Sequence, residues 1–344
     1  MAAVRQTHPI GVRGANPEEG PAIAGLWREL WDAHEDWGGY AGTRDQRVYD
    51  QLSQRLAEDA RVRGGQPVLG RHIHLVATDG EQVVGQVEGW FERHGVDEAT
   101  PFTCEVRSLI VSGRSRTRGA GRALLEGLAG VARQLSRGAP VVLAAEVLEP
   151  NPAHAFYKNV GYTPVSWTAR IGTDGAVEPS SFDPYVARIA TPNDALPIAL
   201  LDPALAARRR AQGDIRFDRP RAVDATFVGA LAAHLARAGA SDQSELVAVD
   251  PGGMVRASAS LTVMSLDPPF LPARRGLLGR FAVDPALDPR PLVGALMRLG
   301  RRLALVRGAA ALELTDLDPP GHPLSEGALR VGGVPWSRIV ERFA

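Results

Sequence analysis

Cysteine is nearly missing from this 344-residue chain: Cys104 stands alone. One thiol excludes an internal disulfide, and without a second soft ligand it excludes a cysteine-based zinc site, so no metal is expected and a reducing, cytoplasmic setting is. Lysine is as scarce, with Lys158 the sole lysine among 39 basic residues, a bias that suggests GC-rich coding more than mechanism. Net charge is also missing. Thirty-nine basic and 39 acidic residues cancel, so no global field draws the chain to nucleic acid or to an anionic membrane, and neither is expected as a partner. Long apolar runs are lacking: the longest, Phe227 to Ala240, is broken by His234 and Arg237, short of the roughly 20 residues that cross a bilayer. Met1 to Gly11 contains no apolar stretch of signal-peptide length, so no targeting segment is expected. Aromatics are few at 6%, yet 44% of residues are hydrophobic, which excludes a disordered chain. At about 100–200 residues per domain, the length predicts roughly two domains.

What is present is one plan written twice. Arg13, Ala15, Pro17, Glu19, Ile23 and Ala24 recur 175 positions later as Arg188, Ala190, Pro192, Asp194, Ile198 and Ala199. Each set reads as a strand, an N-cap (Asn16 or Thr191), a proline at the first helical position and an acid in the first turn. His72 to Thr78 and Gln82 to Glu92 flank Asp79 and Gly80 as a hairpin; Glu245 to Val249 and Met254 to Leu266 repeat this around Asp250 and Gly253. Strands ending at Val111 and Val283, 172 positions apart, lead to amphipathic helices over Arg118–Ser136 and Arg290–Val306. Apolar strands follow at Val141–Val147 and Ala310–Leu317, and Val160 and Gly161 are answered by Val331 and Gly332 at an offset of 171. Near-constant offsets imply a duplication, with its boundary in the glycine, proline and serine-rich stretch 172–184.

The chemistry concentrates between Glu105 and Leu125. A strand ends at Leu109, Ile110 and Val111; a loop with Arg114, Arg116 and Arg118 follows; a helix opens with Gly119 and Gly121. Free N–H groups at a helix start bind anions, glycines admit a phosphate to the main chain, and arginines add bidentate contacts. The loop lacks the lysine and Ser/Thr of a nucleoside-triphosphate loop and the full dinucleotide glycine pattern. Taken alone, Gly119 and Gly121 could serve only to permit a tight turn.

These residues resemble the GNAT (Gcn5-related N-acetyltransferase) superfamily. Its first signature is matched by Leu109 and Val111 followed by Arg116, Gly119 and Gly121. Its second is matched by Asn151, Ala153, Tyr157, Gly161 and Tyr162, in the expected order and with the strand Val141–Val147 between. Asn151 lies two residues before Ala153, where the family more often has three. The resemblance implies an α/β (α+β) chain of two tandem GNAT domains, each a mixed, mostly antiparallel sheet flanked by helices: residues 1–173 catalytic, residues 184–344 a degenerate copy. It implies acetyl-CoA as co-substrate, its pantetheine along Leu109, Ile110 and Val111. The pyrophosphate would meet Arg116, Thr117, Arg118, Gly119, Ala120, Gly121 and Arg122, and Asn151 would belong to the same site. Tyr157 would protonate the departing thiolate as a general acid. Glu105, or Glu88 after it, would deprotonate a small-molecule or peptide amine in a ternary complex.

In the second copy, Asp284, Pro285, Asp288, Pro289 and Pro291 replace the arginine-glycine loop, and Ala328 falls opposite Tyr157. Prolines offer no N–H and acids repel phosphate, so this copy is expected to shape the acceptor cleft, stabilise the first or mediate dimerisation. A non-catalytic acyl-CoA-binding scaffold is the alternative for the whole chain. Plainer roles compete elsewhere. Glu105 could pair with Arg107. Glu29, Asp32, Glu35 and Asp36 suit a solvated helix face with Trp27 and Trp31 in the core. His72 and His74 share a strand face without a third metal ligand, Cys104 suits a buried small hydrophobe, and Arg208 to Arg210 a solvated helix end.

Overall fold

The structure, a computed structural model, describes residues 9–38, 44–93, 101–173, 184–214, 217, 222–238, 242–265 and 274–344. The expected boundary falls largely on residues 174–183, outside the described residues, as do Met1 to His8, Leu266 and the end of the run at Ala240.

Apart from a two-residue strand in the first half, both halves set out the same helices and strands in the same order. The first runs β1 (Ile10–Arg13), α1 (Gly20–Asp36), α2 (Gln46–Arg63), a two-residue β2 (Val68–Leu69), β3 (His72–Asp79), β4 (Gln82–Arg93), β5 (Phe102–Val111), α3 (Ala120–Ser136), β6 (Val141–Leu148), α4 (His154–Asn159) and β7 (Thr163–Gly172). The second runs β8 (Val186–Ile189), α5 (Ala195–Ala211), α6 (Ala225–Ala238), β9 (Gln243–Val249), β10 (Val255–Ser265), β11 (Arg274–Val283), α7 (Pro289–Val306), β12 (Ala311–Leu317), α8 (Pro323–Arg330) and β13 (Val334–Phe343).

The repeat extends to single hydrogen bonds. Asn16 and Thr191 each cap a 3-10 turn that runs into α1 or α5, and each turn closes a capping box through Glu19 or Asp194. Arg13 pairs with Glu19 at 2.5 Å and Arg188 with Asp194 at 2.7 Å, tying each first strand to its helix. Gly161 and Gly332 both take φ near +90° after α4 and α8, where only glycine turns the chain back without strain.

The strands among the described residues join one sheet in the order β1-β3-β4-β5-β6-β13-β7-β12-β11-β10-β9-β8, with β2 on the edge of β3. At its centre the halves trade strands: β13 lies antiparallel between β6 and β7, while β7 pairs with β12. The sequence predicted two similar sheets; the structure fuses them through this exchange. One face carries α3 over β3–β6 and α7 over β9–β12, burying Leu124, Leu125 and Leu128 in one core and Leu292, Leu296 and Met297 in another. The other face carries α1 and α2 against Val76 and Ile110, and α5 against Ala282. Between these helix pairs the central strands carry a polar strip in which Glu105, Arg107 and Glu146 are exposed and Ser166, Thr168, Ser337, Glu313 and Glu341 are buried. Among the described residues no helix is long and apolar enough to cross a membrane.

Candidate functional site

The first half contains a gap in its sheet. β5 and β6 pair in parallel from Phe102 and Val141 to Val106 and Ala145, then separate, although β5 continues to Val111 and β6 to Leu148. A bulge drives the separation: between the pairs Glu88 to Arg107 and Gln86 to Ile110 one extra residue enters β5, and Ser108 takes φ +48°. Buried Gln86 fixes it, donating from Nε2 to the Ser108 carbonyl at 2.7 Å and to its Oγ at 3.1 Å, while its Oε1 meets Nε2 of buried His74 at 2.8 Å. Beyond the bulge Leu109 and Val111 turn toward the α3 core and Ile110 toward α1, leaving their main chain along the gap.

At the mouth of the gap the chain forms the loop and helix start anticipated from sequence. Thr117 and Gly119 have positive φ, +74° and +85°, and no side chain caps α3, so the first-turn N–H groups of Ala120, Gly121 and Arg122 face outward as anion donors. Arg114, Arg116, Thr117, Gly119 and Arg122 are exposed around them. Arg116 donates from Nε to the Val111 carbonyl at 3.3 Å. Arg118 is bound to Asp79, which anchors the loop to the β3–β4 turn. Gly121 has a packing reason as well: a Cβ there would meet the Phe156 ring at 3.1 Å.

Asn151 follows β6 and accepts the Ala153 N–H on Oδ1 at 2.9 Å, shaping the turn into α4. His154 Nε2 lies 2.9 Å from the Leu148 carbonyl and holds α4 to the end of β6. Tyr157 is thereby placed in the same cluster as Val106, Ala145 and Val147, the residues at which β5 and β6 part, with its ring edge-on to Tyr162 at 5.1 Å. Burial raises its phenol well above the ordinary tyrosine range, so it stays protonated at neutral pH and suits proton donation.

Of the two sequence candidates for a base, Glu105 lies on β5 next to the last paired residue before the gap and Glu88 lies one strand away on β4. Glu105 is exposed and held by Arg107 at 2.8 Å, whose guanidinium lies over Trp90. Glu88 faces His72 at 3.4 Å; burial pushes its carboxyl up, but the His72 hydrogen bond and the charges of His74, His72 and Arg55 bring it below its usual value. Cys104 is buried and its thiol is pushed up to about 12 by burial and by Glu105, far from a reactive thiolate. Trp27 and Trp31 are in the core and the α1 acids outside, Asp32 and Asp36 paired with Arg44. His72 and His74 stack at 6.3 Å, and among the described residues no group of three ligating side chains is placed for a metal.

The second half repeats the gap and fills it. β11 and β12 pair in parallel to Leu278 and Leu314 and then part, with a matching bulge at Arg280, φ +54°. There Thr315 packs directly on the Gly279 backbone, and Asp316 accepts the Arg280 N–H at 3.3 Å. Behind them Arg209, fully buried, pairs with Asp214 at 2.7 Å, and Arg208 with buried Asp318 at 3.2 Å. The run Arg208 to Arg210 is therefore no solvated helix end: buried aspartates, invisible to local charge counting, draw Arg208 and Arg209 inward. α7 is capped by its own Asp288, which accepts the Arg290 N–H at 3.0 Å, and Ala328 on α8 stands where α4 carries Tyr157.

One acidic side chain beside the first gap escaped the sequence reading. Glu146 follows Ala145, the last paired residue of β6, and is the only exposed residue of that strand. A lone charge in an apolar strand was the available signal.

Residues 26–162 match the model of the Acetyltransferase (GNAT) family. A solved GCN5-related N-acetyltransferase from Sphaerobacter thermophilus superposes with a TM-score of 0.56 at 16% identity, over 97% of this chain and 96% of that one. A glucosamine N-acetyltransferase region of a fungal multi-domain beta-N-acetylglucosaminidase gives 0.54 at 15% identity, over 99% of this chain and 39% of that one. A tandem GNAT protein from the clavulanic acid biosynthesis pathway gives 0.49 at 18% identity, over 97% and 98%. The chain has no match among curated proteins. Its sheet, gap and first helix define an acetyltransferase-type fold. The family match covers residues 26–162, and over the whole chain the fold is similar to that of solved GCN5-related N-acetyltransferases, with its elements set out twice in tandem.

Proposed function

We propose that this protein is an acyltransferase whose first half, residues 1–173, carries acetyl from acetyl-CoA to a primary amine in a ternary complex, while residues 184–344 form a copy without a cofactor site. The contrast between the two gaps carries the reading: the first is open and leads to an uncapped helix start among arginines, the second is closed by Thr315 and Asp316 and faces a helix capped by Asp288.

The residues of the first gap fit acetyl-CoA. The N–H groups of Ala120, Gly121 and Arg122, with Arg116 and Arg122, bind the pyrophosphate, and Arg118 braces the loop through Asp79. The main chain of Leu109 to Val111 lines the pantetheine, and Asn151 sets the start of α4. Tyr157 gives its proton to the departing sulfur. A neutral amine whose lone pair attacks the thioester carbon forms the new C–N bond as the C–S bond breaks. Acetyl-CoA stabilising the protein in a thermal shift, with thiol released from acetyl-CoA in the presence of a primary amine, is the expected result. Absence of both overturns the reading; binding without thiol release leaves the non-catalytic acyl-CoA-binding scaffold.

A further inference from the structure

The polar strip left between the helix pairs concentrates charge beside the first gap. On it lie Glu105 and Arg107 of β5, Glu146 of β6, Ser337 and Glu341 of β13, Arg170 of β7, Glu313 of β12 and Arg275 of β11, all on one sheet face by register. Glu313 is buried and pairs with Arg170 at 3.1 Å and with Arg275 at 3.2 Å, so its charge is balanced in place. The end of α1 reaches over the strip, the Gly38 carbonyl accepting from Arg170 at 2.9 Å.

Glu146 differs from these acids. It flanks the first step of the gap opposite Arg107, reaches solvent although its strand neighbours are buried, and among the described residues no arginine forms an ion pair with it; its Oε1 instead accepts the Ser337 hydroxyl at 2.6 Å. Ser337 belongs to β13, so the hydrogen bond exists only because the second half has inserted that strand. The walls of the strip strip water from the carboxylate and raise its pKa; the Ser337 bond opposes this, Glu313 and Glu105 add to it, and Arg275 opposes it. Such a carboxyl is a better proton acceptor than free glutamate.

We infer that Glu146, oriented by Ser337 of the exchanged strand, is the base that takes the proton from the acceptor's ammonium group, which makes the site of the first half incomplete without the second. This rests on the acyltransferase reading above. The ammonium proton passes to the Glu146 carboxylate, and the freed amine attacks the thioester carbon. As the C–S bond breaks, the sulfur takes the Tyr157 proton. The new amide's surplus proton returns to Tyr157 through water, and Glu146 releases its own to solvent, so one proton leaves per turnover. The acceptor this recess fits is a primary amine on a cationic or neutral small molecule: Glu105 and Glu146 are exposed beside it, with Arg107 at the gap.

The test uses the full chain, acetyl-CoA, and spermidine, glucosamine and 2-phenylethylamine as probes, with acetyl-CoA affinity measured by calorimetry and thiol release followed from neutral to alkaline pH. Glu146→Gln is expected to lose about 100-fold in kcat at neutral pH with unchanged acetyl-CoA affinity, and to recover in part as pH rises and free amine accumulates. Ser337→Ala removes a bond that favours the carboxylate, so the acid limb of kcat/KM moves up by about one pH unit, while Ser337→Thr, which keeps the hydroxyl, holds the wild-type limb. A wild-type rate and profile in Glu146→Gln, or the loss falling on Glu105→Gln instead, overturns the inference. So does acetyl-CoA binding with no thiol release to any probe. Failure of the wild-type protein to bind acetyl-CoA overturns the acyltransferase reading itself.

Discussion

Phe156 lies so close to Gly121 that a Cβ at position 121 would sit 3.1 Å from its ring. The contact joins the start of α3, where the pyrophosphate would be held, to the residue beside Tyr157. Gly121→Val forces Phe156 aside at a cost of about 1–3 kcal/mol, and acetyl-CoA affinity is expected to fall about tenfold by calorimetry. Gly121→Ala asks for a few tenths of an ångström and is expected to lose less.

Tyr157→Phe keeps the ring that packs on Phe156 and Tyr162 and removes only the hydroxyl. Thiol release is expected to drop about 100-fold with the unfolding midpoint preserved. Because burial lifts the phenol above its ordinary range, the wild-type pH profile should show no alkaline limb where free tyrosine ionises.

Arg209→Met removes both guanidinium hydrogen bonds to the buried Asp214 carboxylate beside the filled second gap. Urea unfolding should report a loss of about 3–5 kcal/mol, and Arg209→Met with Asp214→Leu should restore part of it. Acetyl-CoA affinity should survive in both, since neither residue borders the first gap.

His34 lies on α1 beside Trp37, and burial lowers its pKa from 6.5 to about 4. The folded chain holds it neutral while the unfolded chain takes a proton below pH 6.5, so its contribution to stability is full above that value and declines as pH falls toward about 4. Thermal melts of His34→Gln across this window should lack that part of the slope.

The repeat was legible because capping and turn chemistry is local. Asn16, Pro17 and Glu19 specify a helix entry wherever they occur, and Thr191, Pro192 and Asp194 specify it again. The arginine-glycine loop was legible for the same reason. Arg208 and Arg209 were not: their partners Asp214 and Asp318 come from a loop and the end of another strand, and only the fold makes them neighbours. Glu105 illustrates the limit at the site. Its place on β5 suggested a base and the structure pairs it with Arg107 two residues along the same strand, while Glu146, on the same sheet face, gained its setting from a strand nearly two hundred positions away. Partner choice was equally hidden, since β7 and β13 follow the same turn around Gly161 or Gly332 and either could complete either half.

The traded strands also set a timetable. During synthesis β6 and β7 emerge together, but the place between them stays vacant until residues 334–343 have been made. Until then the exposed edges of β6 and β7 can join each other, and a premature closure of that kind would have to reopen before β13 could enter. Central pairings that bridge such sequence distances make folding slow. A first half without β13 therefore carries two unpaired central strand edges, the kind of surface that pairs with other chains.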